Sequence, residues 1–170
     1  MTGVQTCALP ISSLVLLPQA AEALDIPVVG CGGFSDAKSL VAALALGAEG
    51  IAMGTRFMAT KESLIHQNVK DKMTESDERS TNLMFRTMHN TARVFKNTIS
   101  DQVVEIESTG TATFEDVKDL VAGQRGRGVF EVGDLEAGIW SAGISVARVK
   151  DRSEEHTSEL QSRTNLVCRL

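Results

Sequence analysis

One order of residues occurs twice in succession: a short apolar run, a glycine motif, then a stretch of helical character. The first unit, IPVVGCGGFSDAKSLVAALALG, covers Ile26 to Gly47, and the second, EGIAMGTRFMAT, covers Glu49 to Thr60. Their apolar runs close on Gly32-Gly33 and on Gly54-Thr55. In the first unit Ala37, Leu40, Val41, Leu44 and Ala45 follow helical spacing, with Ser35 as the expected N-cap and Gly47 as the expected stop. Two strands joined through a helix pair in parallel, because such a crossover returns the chain to the same end of the sheet. The order restricts this stretch to the α/β class.

Glycine at the end of a strand has a chemical use. Without a β-carbon the backbone N–H groups can close on a phosphate dianion, and positive φ is accessible. A helix that follows adds the positive end of its dipole. Phosphate sites made by the loops after the last two strands recur in (β/α)₈ barrels, whose active sites lie at the C-terminal ends of the strands. A single glycine pair is equally well explained as an ordinary βα turn; two pairs in adjacent units favour a phosphate cradle.

Composition narrows the function classes. Apolar content of 42% and charged content of 23% are those of a globular protein. A net charge of −5 disfavours a nucleic-acid partner. The longest apolar run, Leu40 to Leu46, falls far short of the roughly 20 residues that span a bilayer, so no membrane partner and a cytoplasmic setting are expected. Cys31 lies alone between Cys7 and Cys168 near the two ends, and without a histidine partner it reads as a packing residue. No cysteine or histidine cluster has metal-ligand spacing, so no metal is expected.

Downstream the chain turns helical. Ala59 to Met73 is expected to form an amphipathic helix capped by Thr60, with Leu64, Ile65, Val69 and Met73 near one side. Thr74 to Asn82 reads as a loop or a helix start. Thr113 to Gly123 has both ends marked, by Thr113 as cap and Gly123 as stop. Gly123 to Asp134, GQRGRGVFEVGD, sets two arginines between glycines. Bidentate arginine would suit a second anion site; a basic loop is preferred, because no strand precedes these glycines. The only Trp, inside GIWSAG (Gly138 to Gly143), reads as packing.

Ile26 to Ser63 closely resembles the C-terminal half of the nitronate monooxygenases, formerly 2-nitropropane dioxygenases, and so do NTARVFKNTIS (Asn90 to Ser100), VVEIES (Val103 to Ser108) and Ala112 to Gly143. The resemblance implies the C-terminal part of an FMN-binding (β/α)₈ TIM barrel, its last two strands and following helices, incomplete. It implies FMN as cofactor, held at Gly32, Gly33, Ala52, Met53, Gly54 and Thr55, with Ser141 near the flavin ring. The implied parent activity is oxidation of small alkyl nitronates by O₂ to carbonyl compounds and nitrite. MGTRF-like text is shared with FMN-dependent enoyl-acyl-carrier-protein reductases, which are the competing enzyme reading. A histidine upstream of the last two strands lies near the flavin in the family. His66, His89 and His156 do not match its setting, so no catalytic residue is assigned.

A complete barrel of this type needs about 250 residues, and the chain has 170. Residues 1–12 and 152–170 look like translated sequencing adapter and are expected to be artefactual, leaving 13–151 as a partial barrel. A non-catalytic gene fragment is the alternative from outside the enzymes.

Overall fold

The computed structural model describes residues 12–151. Helix α1 (Ser13–Ala23) starts on Ser12, whose hydroxyl accepts from the Leu14 N–H. Strand β1 (Val29–Cys31), helix α2 (Ala37–Ala45), strand β2 (Gly50–Ala52) and the single turn α3 (Thr55–Met58) follow. The two strands pair in parallel as the repeated units require, with Val29 opposite Gly50 and Cys31 opposite Ala52. Gly47, at φ +91°, ends α2 as expected.

The cap of α2 is Asp36, not Ser35. Its carboxylate accepts from the Ser39 N–H at 2.8 Å, and Ser39 Oγ accepts from the Asp36 N–H at 3.0 Å. A charge-assisted bond outcompetes a hydroxyl at this position, and Ser35 is buried instead. Phe34 turns inward beside it, its ring against Gly30, where a Cβ would stand 2.9 Å from Cε2. Phe34 packs with Leu17, Ala43 and Ala48 in the core of this unit. Val29 and Cys31 on β1 remain exposed.

The second half contains α4 (Gln67–Glu75), β3 (Thr81–Met84), β4 (Ala92–Phe95), α5 (Thr98–Glu107), α6 (Phe114–Val117), α7 (Gly123–Val132) and a 3₁₀ turn at Ile144–Arg148. Strands β3 and β4 form an antiparallel hairpin that the sequence reading did not contain. The protein is therefore α/β with a parallel pair and a separate antiparallel pair among the described residues.

Two helix boundaries differ from expectation. Helix α4 starts at His66, because Thr60 donates its hydroxyl to the Phe57 carbonyl and so closes α3. The buried Lys70 ammonium then holds the carbonyls of Lys61 and Ser63, which fixes the intervening chain outside the helix. Gly123 begins a helix where a stop was expected. The glycines of α7 and its partner serve contact: a Cβ on Gly126 would lie 2.7 Å from the Ile139 carbonyl oxygen, and one on Gly138 would lie 2.6 Å from the Arg125 carbonyl carbon. The preferred basic loop is thus a helix laid directly on the backbone of the GIWSAG segment.

That segment is the hub of the second half. Trp140 is 2% exposed and stacks on Phe95 at 4.2 Å between ring centroids, with Phe130 edge-on at 6.4 Å. Burying aromatic surface of this size is a major contribution to the core. Beside it, Ser141 bridges to Val94 and the Phe95 N–H donates to the Trp140 carbonyl, so residues 140–141 extend the hairpin edge. Asn97 caps α5 and spends its amide on the carbonyls of Leu135 and Gly138, each at 2.8 Å, which anchors the entry to the segment.

Candidate functional site

The register of β1 on β2 decides where the two glycine motifs lie. Cys31 and Ala52 are partners, so Gly32 and Met53 leave the sheet side by side, about 4.8 Å apart by strand spacing. Gly32-Gly33 and Gly54-Thr55 therefore flank one another at the C-terminal ends of adjacent parallel strands. Gly32 and Gly33 have φ of +91° and +83°, a region that side-chain-bearing residues avoid. A Cβ on Gly32, Gly33 or Gly54 would meet no atom within 4 Å. The backbone there is open, and Ala52 and Gly54 are exposed.

The start of α2 is partly occupied by its own cap. In the first turn of α2 the Ser39 N–H is committed to the Asp36 carboxylate, and just before the helix the N–H groups of Ser35 and Asp36 are committed to Ser39 Oγ. The Asp36 carboxylate near the loop is in turn answered by Arg148, whose guanidinium lies 2.9 Å from Oδ2. Burial pushes the Asp36 carboxyl up, but the hydrogen bonds from Arg148 and Ser39 outweigh it and hold the carboxyl below its ordinary value.

Two links tie the second glycine unit to later parts of the chain, the first of them to the GIWSAG segment. Thr55 Oγ1 accepts from the Gly143 N–H at 2.9 Å, and Arg56, buried in α3, pairs with Asp151 at 2.6 Å. Ser141, two residues before the first link, is exposed. The sequence reading identified Thr55 and Ser141 separately and missed what joins them. Arg56 and Arg148 were also missed. A lone arginine at the end of an apolar unit, and another in the last turn before a charged tail, were the available signals.

The histidines stay out of this corner. His66 caps α4, its Nδ1 accepting from the Asn68 N–H, and packs against Gly133. His89 lies in the β3–β4 turn with φ +52°, and His156 is outside the described residues. Among the described residues no His, Cys, Asp or Glu group could hold a metal, and no helix is long and apolar enough to cross a membrane.

Residues 1–158 match the family described as nitronate monooxygenase. The chain belongs to that family. Among curated relatives, the nitronate monooxygenase family member is 34% identical over 148 residues to a (3aS,4S,5R,7aS)-5-hydroxy-7a-methyl-1-oxo-octahydro-1H-indene-4-carboxyl-CoA dehydrogenase of Rhodococcus jostii, covering 85% of this chain and 39% of that one. It is 43% identical over 70 residues to a probable nitronate monooxygenase of Bacillus subtilis, covering 41% of this chain and 20% of the relative. Among solved structures, FabK from Thermotoga maritima superposes with a TM-score of 0.81 at 26% identity, covering 93% of this chain and 51% of that one. A nitroalkane oxidase from Streptomyces ansochromogenes superposes with a TM-score of 0.65 at 28% identity, covering 92% and 46% respectively. The chain thus spans about half or less of these proteins. Its family is one of oxidoreductases.

Proposed function

We propose that this chain supplies the cofactor-phosphate corner of an FMN-dependent nitronate monooxygenase that oxidises small alkyl nitronates with O₂ to carbonyl compounds and nitrite. The observation that carries the reading is the juxtaposition of two open glycine loops at the C-terminal ends of adjacent parallel strands, in a chain of this family. The residues fit a phosphate monoester. Gly32, Gly33, Gly54 and Thr55 would hold it through backbone N–H groups, with Ala52 and Met53 forming the strand end below. When bound, the flavin would supply the electron transfer between nitronate and O₂. Protein groups position and screen: Thr55 holds Gly143 and thereby Ser141 at the edge of the site, and Arg148 offsets the Asp36 charge beside a dianion. No side chain described here is assigned as the base, and a nitronate supplied as the anion needs none.

A second reading, a flavin enzyme acting on an acyl thioester, is favoured by the carboxyl-CoA dehydrogenase relative that matches 85% of the chain. Oxygen uptake and nitrite release with propyl-2-nitronate, set against NADH oxidation with an enoyl thioester, separate the two. Nitrite release supports the first reading; thioester-dependent NADH oxidation without it replaces that reading by the second. On its own the 170-residue chain is expected to hold FMN weakly, because small-molecule sites bury about 70–90% of their ligand and the described corner reaches only the phosphate end.

A further inference from the structure

A cavity of about 280 Å³ opens between β4, the start of α7 and residues 139–141, and it shares none of the glycine loops. Its volume sits at the lower edge of the roughly 300–1,000 Å³ common for small-molecule sites. Much of its wall is hydrocarbon, from Val94, Val121, Phe130 and Ile139. Its polar groups are unbalanced. Ala122 at the N-cap of α7 offers no side-chain cap, and the first turn of α7 contains no acidic residue; the Arg125 N–H is met by the Ala122 carbonyl, and the N–H groups of Gly123 and Gln124 ahead of it have no intrahelical acceptor and carry the positive end of the helix. One turn on, Arg127 lines the cavity. Arg125 is spent on the carbonyls of Ala137 and Asp119, whereas Arg127 makes no hydrogen bond or ion pair among the described residues. The indole Nε1 of Trp140, another wall residue, is buried without a partner. Among the described residues no carboxylate lines the cavity.

We propose that this cavity is a second binding site, for a small and mainly apolar carboxylate, with its anionic end against Arg127 and the start of α7 and its hydrocarbon against Val94, Phe130 and Ile139. The hydrophobic wall alone would accept any small apolar molecule; the donor excess selects the anion. No glycine-loop residue takes part, but Ser141, placed at the edge of the proposed flavin site, also lines this cavity, so the two sites adjoin.

Trp140 is the only tryptophan of the chain, so its indole N–H gives one resonance in a ¹H–¹⁵N spectrum of the full chain. Hexanoate should shift that resonance saturably, and the uncharged isostere hexanamide should bind about tenfold or more weakly, as loss of a charge-assisted bond implies. Arg127→Gln should weaken hexanoate by a similar factor and leave hexanamide unchanged, while Arg127→Lys should restore most of the hexanoate affinity. Arg127 is exposed, so both variants should keep the amide dispersion of the parent chain. Absence of a saturable shift with hexanoate, equal binding of acid and amide, or hexanoate affinity unchanged in Arg127→Gln would each overturn the proposal.

Discussion

Substituting Gly54 by alanine separates a phosphate cradle from an ordinary turn, because the folded backbone has no objection to the change. Gly54 has φ −86° and ψ −64°, within the right-handed helical region, and an added Cβ meets no atom within 4 Å. Replacing a glycine that already has a compatible conformation stabilises a protein by about 0.4–1 kcal/mol through the unfolded chain. Gly54→Ala should therefore melt no lower than the parent chain. A phosphate drawn onto the N–H groups of residues 54 and 55 meets that same methyl. Losing one hydrogen bond to a charged group weakens binding by about 1.5–3 kcal/mol, roughly tenfold to a hundredfold. Gly32→Ala and Gly33→Ala should lose FMN similarly, but also lose about 1–2 kcal/mol of stability each, since their positive φ penalises any side chain. Flavin fluorescence titrations give the affinities, with riboflavin as the phosphate-free control. If Gly54→Ala binds FMN and riboflavin in the same ratio as the parent chain, the cradle argument fails.

Other expectations follow from single contacts. Thr55→Val removes the acceptor of the Gly143 N–H and should cost about 1–3 kcal/mol, read from the urea midpoint, with any flavin affinity falling alongside. Glu107 is buried and accepts from the N–H groups of Phe85 and Thr87 and from the Thr87 hydroxyl, in a turn where Phe85 holds φ +60°; Glu107→Ala should destabilise by at least about 1–3 kcal/mol and speed amide exchange at residues 85–89. Trp140→Ala should cost about 3–5 kcal/mol, and Trp140→Phe much less, because it also removes the unpartnered Nε1. The carboxyl of Asp36 is held below its ordinary 3.8 despite burial, by Arg148 and Ser39, so its contribution is complete above that value and is lost as pH falls toward the lower folded pKa. Stability measured between about pH 5 and pH 2 should fall less steeply in Asp36→Asn than in the parent chain.

The parallel pair was legible because its signals are local: an apolar run, glycines and a helical stripe within a few dozen residues. Gly47 shows the same, a left-handed stop read correctly from its place after the stripe. The antiparallel hairpin was not legible. Its strands lack alternation, with partial burial at Thr81, Asn82 and Leu83 alike, and what holds the turn between them is Glu107, more than fifteen residues downstream. The glycines of α7 misled for a related reason. Gly126 reads as a breaker in the local sequence and serves a contact with Ile139 made across the fold. Within the candidate site the glycine loops and Thr55 stand where the repeated units put them, whereas the Arg148–Asp36 pair spans 112 residues and leaves no local trace.

The central claim is that the open loops at Gly32-Gly33 and Gly54-Thr55 receive a flavin phosphate, and the backbone amides themselves report it. In ¹H–¹⁵N spectra, FMN should shift the amides of Gly32, Gly33, Gly54 and Thr55 in a saturable way, and riboflavin at equal concentration should leave them in place. Unmoved glycine amides at an FMN concentration that shifts resonances elsewhere in the chain would contradict the claim.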